Sequence, residues 1–476
     1  MAKLELDDIQ GLVARGYGTL PAATFVLLRI ERPEPAGNWL GALAGQVATA
    51  ERGRRTDVVQ VALTASGLRR LGLPDSVLAG FPAELTDGMT VPHRRRILGD
   101  EGESAPEHWH WGGPADPVDA VLLLYAQDEA SLAALADRQT GLAALAAAGL
   151  TEVRRLTTSP LADTEPFGFR DGLSQPLIAE LAPPGRPSPH QHTVPAGEFV
   201  LGYANAYGQR TESPSVQPAD DPAGLLPRTG RSGWGDLGRN GSYLVIRQLG
   251  QDVDGFWRFM DEAGRSIGQN GPDGEAGPSA AVRLAAKVVG RWPDGTPLAQ
   301  APDQPVPELA GANDFGYAQA DAGGLGCPVG AHIRRANPRD ALDPDAGRER
   351  SVEFTNRHRL LRRGRAYGDP ADPGGQGIHF MCLNANIARQ FEFVQHTWLN
   401  NPKFGGLYDD TDPIVATHQG SAGRTFTVQA RPVRHRVTAL PPFVTVRGGA
   451  YFFLPGRRAL RYLATLPRTD STRRVP

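Results

Sequence analysis

A chain of 476 residues is longer than one hydrophobic core usually fills, so two domains are the expectation. With 40% hydrophobic and 21% charged residues it has the composition of an ordinary globular protein, and a formal net charge of −2 argues against a nucleic-acid partner, which requires a basic face. Two cysteines, Cys327 and Cys382, cannot build a metal cluster or a disulfide framework. They read as reduced structural thiols, with a single bridge between them left open. The opening MAKLELDDIQGLVARGYG carries no apolar leader, and nowhere do about 18 apolar residues run together, so a cytoplasmic protein with no membrane partner is expected.

In chain order, Phe25–Ile30 is a β-rich run, Trp39–Val47 a helix, and Val58–Thr64 and Val118–Tyr125 are further strands. Asp128 can then cap a helix carrying Leu132, Leu135, Leu142 and Leu145 on one face, stopped by Gly149 and followed by a strand at Val153–Thr157. The order β-α-β-β-α-β is that of a ferredoxin-like unit. A Pro/Gly-rich stretch from Pro183 to Gly241, including PPGRPSP, breaks the pattern. Order resumes with a strand at Ser242–Leu249 and helices at Val253–Ala263 and Ala280–Val289. A strand at His379–Leu383 leads into a helix over Asn386–Leu399, with Ile387, Phe391, Val394 and Trp398 on one face. Phe443–Arg447 and Ala450–Leu454 flank Gly448-Gly449 as a hairpin, before a last helix over Gly456–Leu466. The expected fold is α+β with two ferredoxin-like domains and antiparallel sheets: residues 1–160, a motif-bearing connection at 161–241, and residues 242–476, which would hold most of the functional pocket.

Three segments concentrate chemistry: EPFGFRDGLSQP from Glu165, CPVGAHIRRANPRD from Cys327, and HRLLRRGRAYG from His358. Together they supply an Asp between glycines, a His and an Arg, enough to hold a haem iron on one side and split a peroxide on the other. Among the histidines, His108 and His110 share a strand face in EHWHWGG but lack a third ligand, so an aromatic-rich strand is the plainer reading. His190 and His192 lie in a Pro-rich loop, and His358 and His396 read as packed histidines. His332 differs because Gly330-Ala331 before it would let a flat ligand approach, while Arg334 and Arg335 after it suit carboxylates. Asp171 reads either as a turn carboxylate or as a proton shuttle held over the apolar Phe167 and Phe169. Arg362 reads either as a solvated strand end or as a guanidinium that stabilises charge on a peroxide oxygen. A carboxylate on the far nitrogen of an iron-bound imidazole would push electron density to the metal, and Glu392, between Phe391 and Phe393, is the candidate. For electron transfer to bulky donors Trp257, Tyr367, Trp398 and Tyr451 are candidates, and no sequence feature selects among them.

The ordered set GFRDG, AHIRRANPR and LLRRGRAYG resembles the dye-decolorizing peroxidase family, nearer its larger members. The resemblance extends through DDIQGLV, WHWGG, YLVIRQL, FEFVQHTW and FVTVRGGAYFFLP. It implies a haem b cofactor, one per chain, with His332 as axial iron ligand and Asp171 and Arg362 as the distal pair. It further implies Asn337 as a polar residue near the distal pocket and Arg335 as a contact to a haem propionate. Where some relatives carry Asn or Ser two places after the distal Arg, this chain has Gly364, which removes a hydrogen-bonding side chain. The implied activity reduces hydrogen peroxide while oxidising dyes, phenols or other one-electron donors through an oxidised haem, in a chain whose homo-oligomerisation is open. The alternatives are a non-enzymatic haem carrier or sensor, an enzyme that removes iron from haem, and a two-domain binding protein without haem.

Overall fold

The computed structural model describes residues 3–182, 192–229, 233–267, 277–343, 347–368, 375–416 and 423–467. PPGRPSP, His190 and residues 468–476 lie outside them.

Four strands build the first half: β1 (Ala22–Ile30), β2 (Asp57–Leu63), β3 (Ala120–Ala126) and β4 (Leu150–Thr157). They pair antiparallel in the order β2-β3-β1-β4. Side chains alternate across a strand, so Val26, Leu28, Leu122 and Leu124 pack under the helices Pro33–Leu43, Glu129–Thr140 and Leu142–Ala148. Phe25, Leu27, Val121 and Leu123 enter a second core on the other face, with Leu12, Phe199 and Val200. Two covered faces explain why AVLLLYA in β3 is apolar throughout rather than alternating.

The second half repeats the plan with β5 (Ser242–Gln251), β6 (Leu361–Arg362), β7 (Arg365–Tyr367), β8 (Gly377–Asn384) and β9 (Val444–Leu454). Central β5 pairs with β8 and β9, and both short strands pair with β8. Each half is therefore ferredoxin-like, and pairing of Phe453 with Leu63 fuses them into one nine-stranded sheet.

Several elements differ from the sequence expectation for local physical reasons. The first helix begins at Pro33, whose fixed φ suits a first helical turn. The helix capped by Asp128, which accepts from Ser131 N at 2.7 Å, breaks at Gly141 into two segments before Gly149 ends the second at φ +63°. Gly448-Gly449 is no hairpin: β9 runs straight through, pairing both glycines with Gln248 and Arg247. A Cβ at Gly448 would sit 2.5 Å from Trp111 Nε1, so the glycine admits the indole against the strand. Asn386–Leu399 is helical but widened, with i→i+5 bonds such as Glu392 N to Ile387 O (3.0 Å) and Asn400 N to Gln395 O (2.9 Å). Both cysteines are buried free thiols, and no described helix is long and apolar enough to cross a membrane.

Candidate active site

A cavity of about 290 Å³ is lined on the second-half sheet by Leu249, Ile378, Phe380 and Val446, elsewhere by His332, Asp171 and Arg362, and from the first half by Leu98, Asp100 and Ser104. The three sequence-predicted residues are thus brought together although 161 and 30 positions separate them in turn along the chain.

His332 opens the short helix His332–Ala336. A frame of buried charges fixes the approach to that helix: Asp321 accepts from Gly326 N (3.0 Å) and Cys327 N (2.7 Å), and Arg334 Nη1 donates to Cys327 O at 2.8 Å. The imidazole Nδ1 lies 2.9 Å from Oδ2 of Asp412, a fully buried carboxylate whose Oδ1 accepts from Ile414 N (2.9 Å) and Val415 N (2.8 Å). With Nδ1 engaged, Nε2 is the nitrogen left for a ligand. Burial alone would lower the pKa of His332, but the ion pair with Asp412 outweighs it and the value is raised. Burial opposes ionisation of Asp412, yet His332 and the Val415 N–H together hold its pKa below the usual carboxylate value.

Three expectations on this side are corrected. Glu392 does not reach the imidazole: it accepts from Arg94 Nη1 (2.7 Å) and Tyr451 OH (2.8 Å), because its position on the widened helix turns it into the protein behind the cavity wall. Arg335 is no propionate contact. It is fully buried and donates to the carbonyls of Gly330 (3.1 Å), Trp398 (2.8 Å), Asn401 (3.0 Å) and Asp410, which pins the His332 helix to the following segment. Gly330 is not among the cavity's lining residues: a Cβ there would point at Leu407 and Phe426, both at an ordinary contact distance of 3.4 Å.

On the loop of GFRDG, Glu165 acts as the internal scaffold. Its carboxylate accepts from Phe167 N (3.1 Å), Phe169 N (3.0 Å) and Gln251 Nε2 (2.8 Å), while Gly168 and Gly172 take φ of +91° and +79°. Phe167 stacks on Phe256 at 4.5 Å and Phe169 on Trp257 at 6.2 Å, which anchors the loop. The Asp171 side chain is 56% exposed. Its Oδ1 lies 3.4 Å from Arg362 Nη2. Arg362 is positioned by pairing of β6 with Cys382 and by Gln175 Oε1, which accepts from its backbone N at 3.0 Å. Asn337 lines the same cavity, with Nδ2 3.3 Å from Ser174 Oγ and a buried Oδ1 that has no partner among the described residues. Gly364 also lines it, and a Cβ there would meet His379 O at 2.8 Å, so the missing side chain is enforced by the adjacent strand.

Sequence reasoning missed two parts of the site. Asp412 sits among Asp409 and Asp410, 80 positions from His332, and nothing local marks it out. Arg291, Arg339 and Arg359 were also passed over, though all three are buried and line the cavity. Arg339 donates to Asn313 O (2.7 Å) and Phe315 O (3.0 Å) and holds a left-handed backbone at φ +56°, a strained conformation typical of functional positions. Burial first, then repulsion from Arg339 and Arg362, pushes the Arg359 pKa down to about 9; burial and Arg339 push Arg291 down to about 10. Arg291 Nη2 has no partner among the described residues. Three buried guanidiniums gathered on one cavity suit an anionic ligand. A largely apolar cavity that holds an imidazole on a buried carboxylate and buried cations among its lining suits haem, whose two carboxylates would supply that charge.

No family model matches the chain. Relatives do: it is 28% identical to a dye-decolorizing peroxidase of Mycetinis scorodonius, across 97% of this chain and 88% of that one. With a multifunctional dye peroxidase of an Amycolatopsis species it shares 30% identity across 86% of this chain and 82% of the relative. The solved structure of the Amycolatopsis peroxidase superposes with a TM-score of 0.69 at 27% identity and 96% coverage of each chain. A structure of an ancestral D-type dye-decolorizing peroxidase gives 0.77, at 24% identity over 97% of this chain and 99% of that one, which bears on the fold. Paired ferredoxin-like halves that gather an Asp412-bound imidazole and an Asp–Arg couple into one cavity define a haem peroxidase. The chain belongs to the dye-decolorizing peroxidase family.

Proposed function

We propose that the protein binds one haem b per chain through Nε2 of His332, reduces hydrogen peroxide and oxidises dyes, phenols or other one-electron donors. The observation that carries this reading is the convergence on a single cavity of His332, its Nδ1 on buried Asp412, with the Asp171–Arg362 couple at 3.4 Å. A solved relative has been captured with 2,6-dimethoxyphenol, which supports phenols as one donor class.

Bound haem supplies the iron that takes peroxide and accepts electrons. Everything else falls to side chains. Asp412 holds the Nδ1 proton, which leaves Nε2 with its lone pair for the metal and makes it a stronger donor. Asp171 is the carboxylate placed to take a proton from peroxide's inner oxygen and return it to the outer one, as base and then acid. Arg362 stays charged and favours the negative charge that develops as the O–O bond lengthens. The unpaired Oδ1 of Asn337 offers an acceptor that can orient a water or the peroxide hydrogen in the same space. Arg291, Arg339 and Arg359, which line the cavity, would meet the haem carboxylates, and the apolar walls would keep bulk water from the reacting atoms.

Stopped-flow absorption with stoichiometric peroxide tests the assignment. Asp171→Asn should slow the Soret change by about 10²–10⁴-fold, the usual span for a lost proton-transfer group. Arg362→Leu should slow it by about 10²–10³-fold, and both variants should keep their haem. An unaltered peroxide step in either variant removes that residue from the mechanism.

A further inference from the structure

Among the aromatic side chains between which the sequence did not choose, Tyr451 has surroundings that meet a specific chemical need. Removing an electron from a phenol turns its hydroxyl into a strong acid, so oxidation is favourable only where a base takes the proton in the same event. Tyr451 lies on β9 at 2% exposure, and its hydroxyl donates to Glu392 Oε1 at 2.8 Å. The other carboxylate oxygen accepts from Arg94 Nη1 at 2.7 Å, and Arg94 in turn faces Glu84 at 3.2 Å and half-exposed Asp87 at 3.7 Å. Other buried tyrosines lack such a base. The hydroxyls of Tyr17, Tyr125, Tyr243 and Tyr462 have no hydrogen-bond partner among the described residues, that of Tyr317 on the cavity wall faces Cys327 and Arg339 rather than a carboxylate, and that of Tyr203 donates to a neutral amide, Asn240 Oδ1. Burial raises the pKa of Glu392, which makes its carboxylate a better proton acceptor than an exposed one. The Tyr451 ring packs edge-on against Phe391 with centroids 6.2 Å apart, and Phe391 lines the cavity. One ring therefore separates Tyr451 from the space assigned to haem.

We infer that Tyr451 holds one of the two oxidising equivalents delivered by peroxide, as a neutral tyrosyl radical whose proton rests on Glu392. The step rests on the peroxidase reading and balances as follows. Tyr451 gives one electron to the peroxide-oxidised haem and its hydroxyl proton to Glu392; the haem is reduced by one electron, and Glu392 becomes a neutral acid. An electron arriving from a donor reverses the proton transfer and restores tyrosine and carboxylate. Arg94 keeps the second Glu392 oxygen paired, so the protonated acid stays in place to return its proton.

Holoprotein grown with ring-deuterated tyrosine is mixed with one equivalent of peroxide, freeze-quenched and examined by electron paramagnetic resonance. The wild type should give a tyrosyl signal narrowed by the label, and Tyr451→Phe should abolish it. Glu392→Gln preserves the shape and the hydrogen bond but cannot take the proton, so the radical yield should fall by at least about tenfold. The Soret band and its peroxide-dependent change serve as the fold and haem control in each variant. A tyrosyl signal that survives Tyr451→Phe, or a full yield in Glu392→Gln, overturns the relay while the peroxidase reading stands. A wild-type Soret band indifferent to peroxide overturns the peroxidase reading and the relay with it.

Discussion

The two halves of the sheet share a strand order and differ in what covers them. In the first half, helices close one face over Leu122 and Leu124 and the segments around Leu12 and Phe199 close the other, so both are packed with hydrocarbon. In the second half, the same topology carries His332 and the buried arginines on long insertions between the helix Ala280–Val289 and β6, and one face opens into the cavity. A frame used twice thus serves stability once and chemistry once. Burial of hydrocarbon dominates the first copy, whereas the second also buries the cations Arg291, Arg339 and Arg359, whose desolvation an anionic ligand would help to offset.

Exchanging the kind of damage between halves should break the comparison most visibly. His332→Ala should lose haem affinity by more than the roughly 100-fold that changes around a metal's supporting hydrogen bonds produce, along with the stability lost by leaving buried Asp412 without its imidazole partner. Leu124→Ala, at a fully buried site on β3, should instead cost about 2–5 kcal/mol of stability while the folded fraction still binds haem. Haem titration followed by Soret absorbance and urea unfolding of both variants read the two effects. Full haem retention by His332→Ala would remove it as the ligand.

Acid should separate the halves next. Burial pushes the pKa of His379 on β8 down to about 4, and His192 and His358 go the same way, all three outside the first-half sheet. An unfolded histidine titrates near about 6.5, so between that pH and about 4 the unfolded chain binds protons that the native one refuses. Stability therefore falls as pH drops through that window and no further below it from this cause. For His379, 1% exposed, the loss is roughly 3 kcal/mol, at about 1.4 kcal/mol per pH unit. Hydrogen exchange at pH 5 should deprotect β8 before β3, and equal deprotection of the two strands would show that the halves unfold as one unit.

The same contrast explains what could be read in the sequence. Strand and helix order in the first half was legible because alternation and capping are local: Asp128, Gly149 and the apolar runs each carry their own signal. Gly448-Gly449 misled because a glycine pair marks either a tight turn or a close approach, and only the distant Trp111 decides which. His332, Asp171 and Arg362 could be named from their motifs. The partner of His332 could not, since Asp412 is set by a fold contact across 80 positions and looks locally like any carboxylate binding the next two N–H groups. Glu392 was rightly singled out as an acid in apolar surroundings, but the surroundings hold Tyr451 and Arg94 rather than the imidazole.

The smallest expected effect is also the sharpest for the contrast. Arg359 is 4% exposed, lines the cavity and feels repulsion from Arg339 and Arg362. Burial and the neighbouring cations Arg339 and Arg362 disfavour its charge in the apoprotein, beside the hydrogen bond it donates to Ser174 O at 3.3 Å. Arg359→Met keeps most of the side-chain volume and removes that charge, so the apoprotein should gain about 1 kcal/mol in urea unfolding. The holoprotein should not share the gain, because the same guanidinium offsets a haem carboxylate there, and haem affinity should drop by about tenfold, the equivalent of about 1.4 kcal/mol. Opposite signs in apo and holo forms are the signature of a cation kept for its ligand. A variant destabilised in both forms would make Arg359 a structural residue and return the second half to the logic of the first.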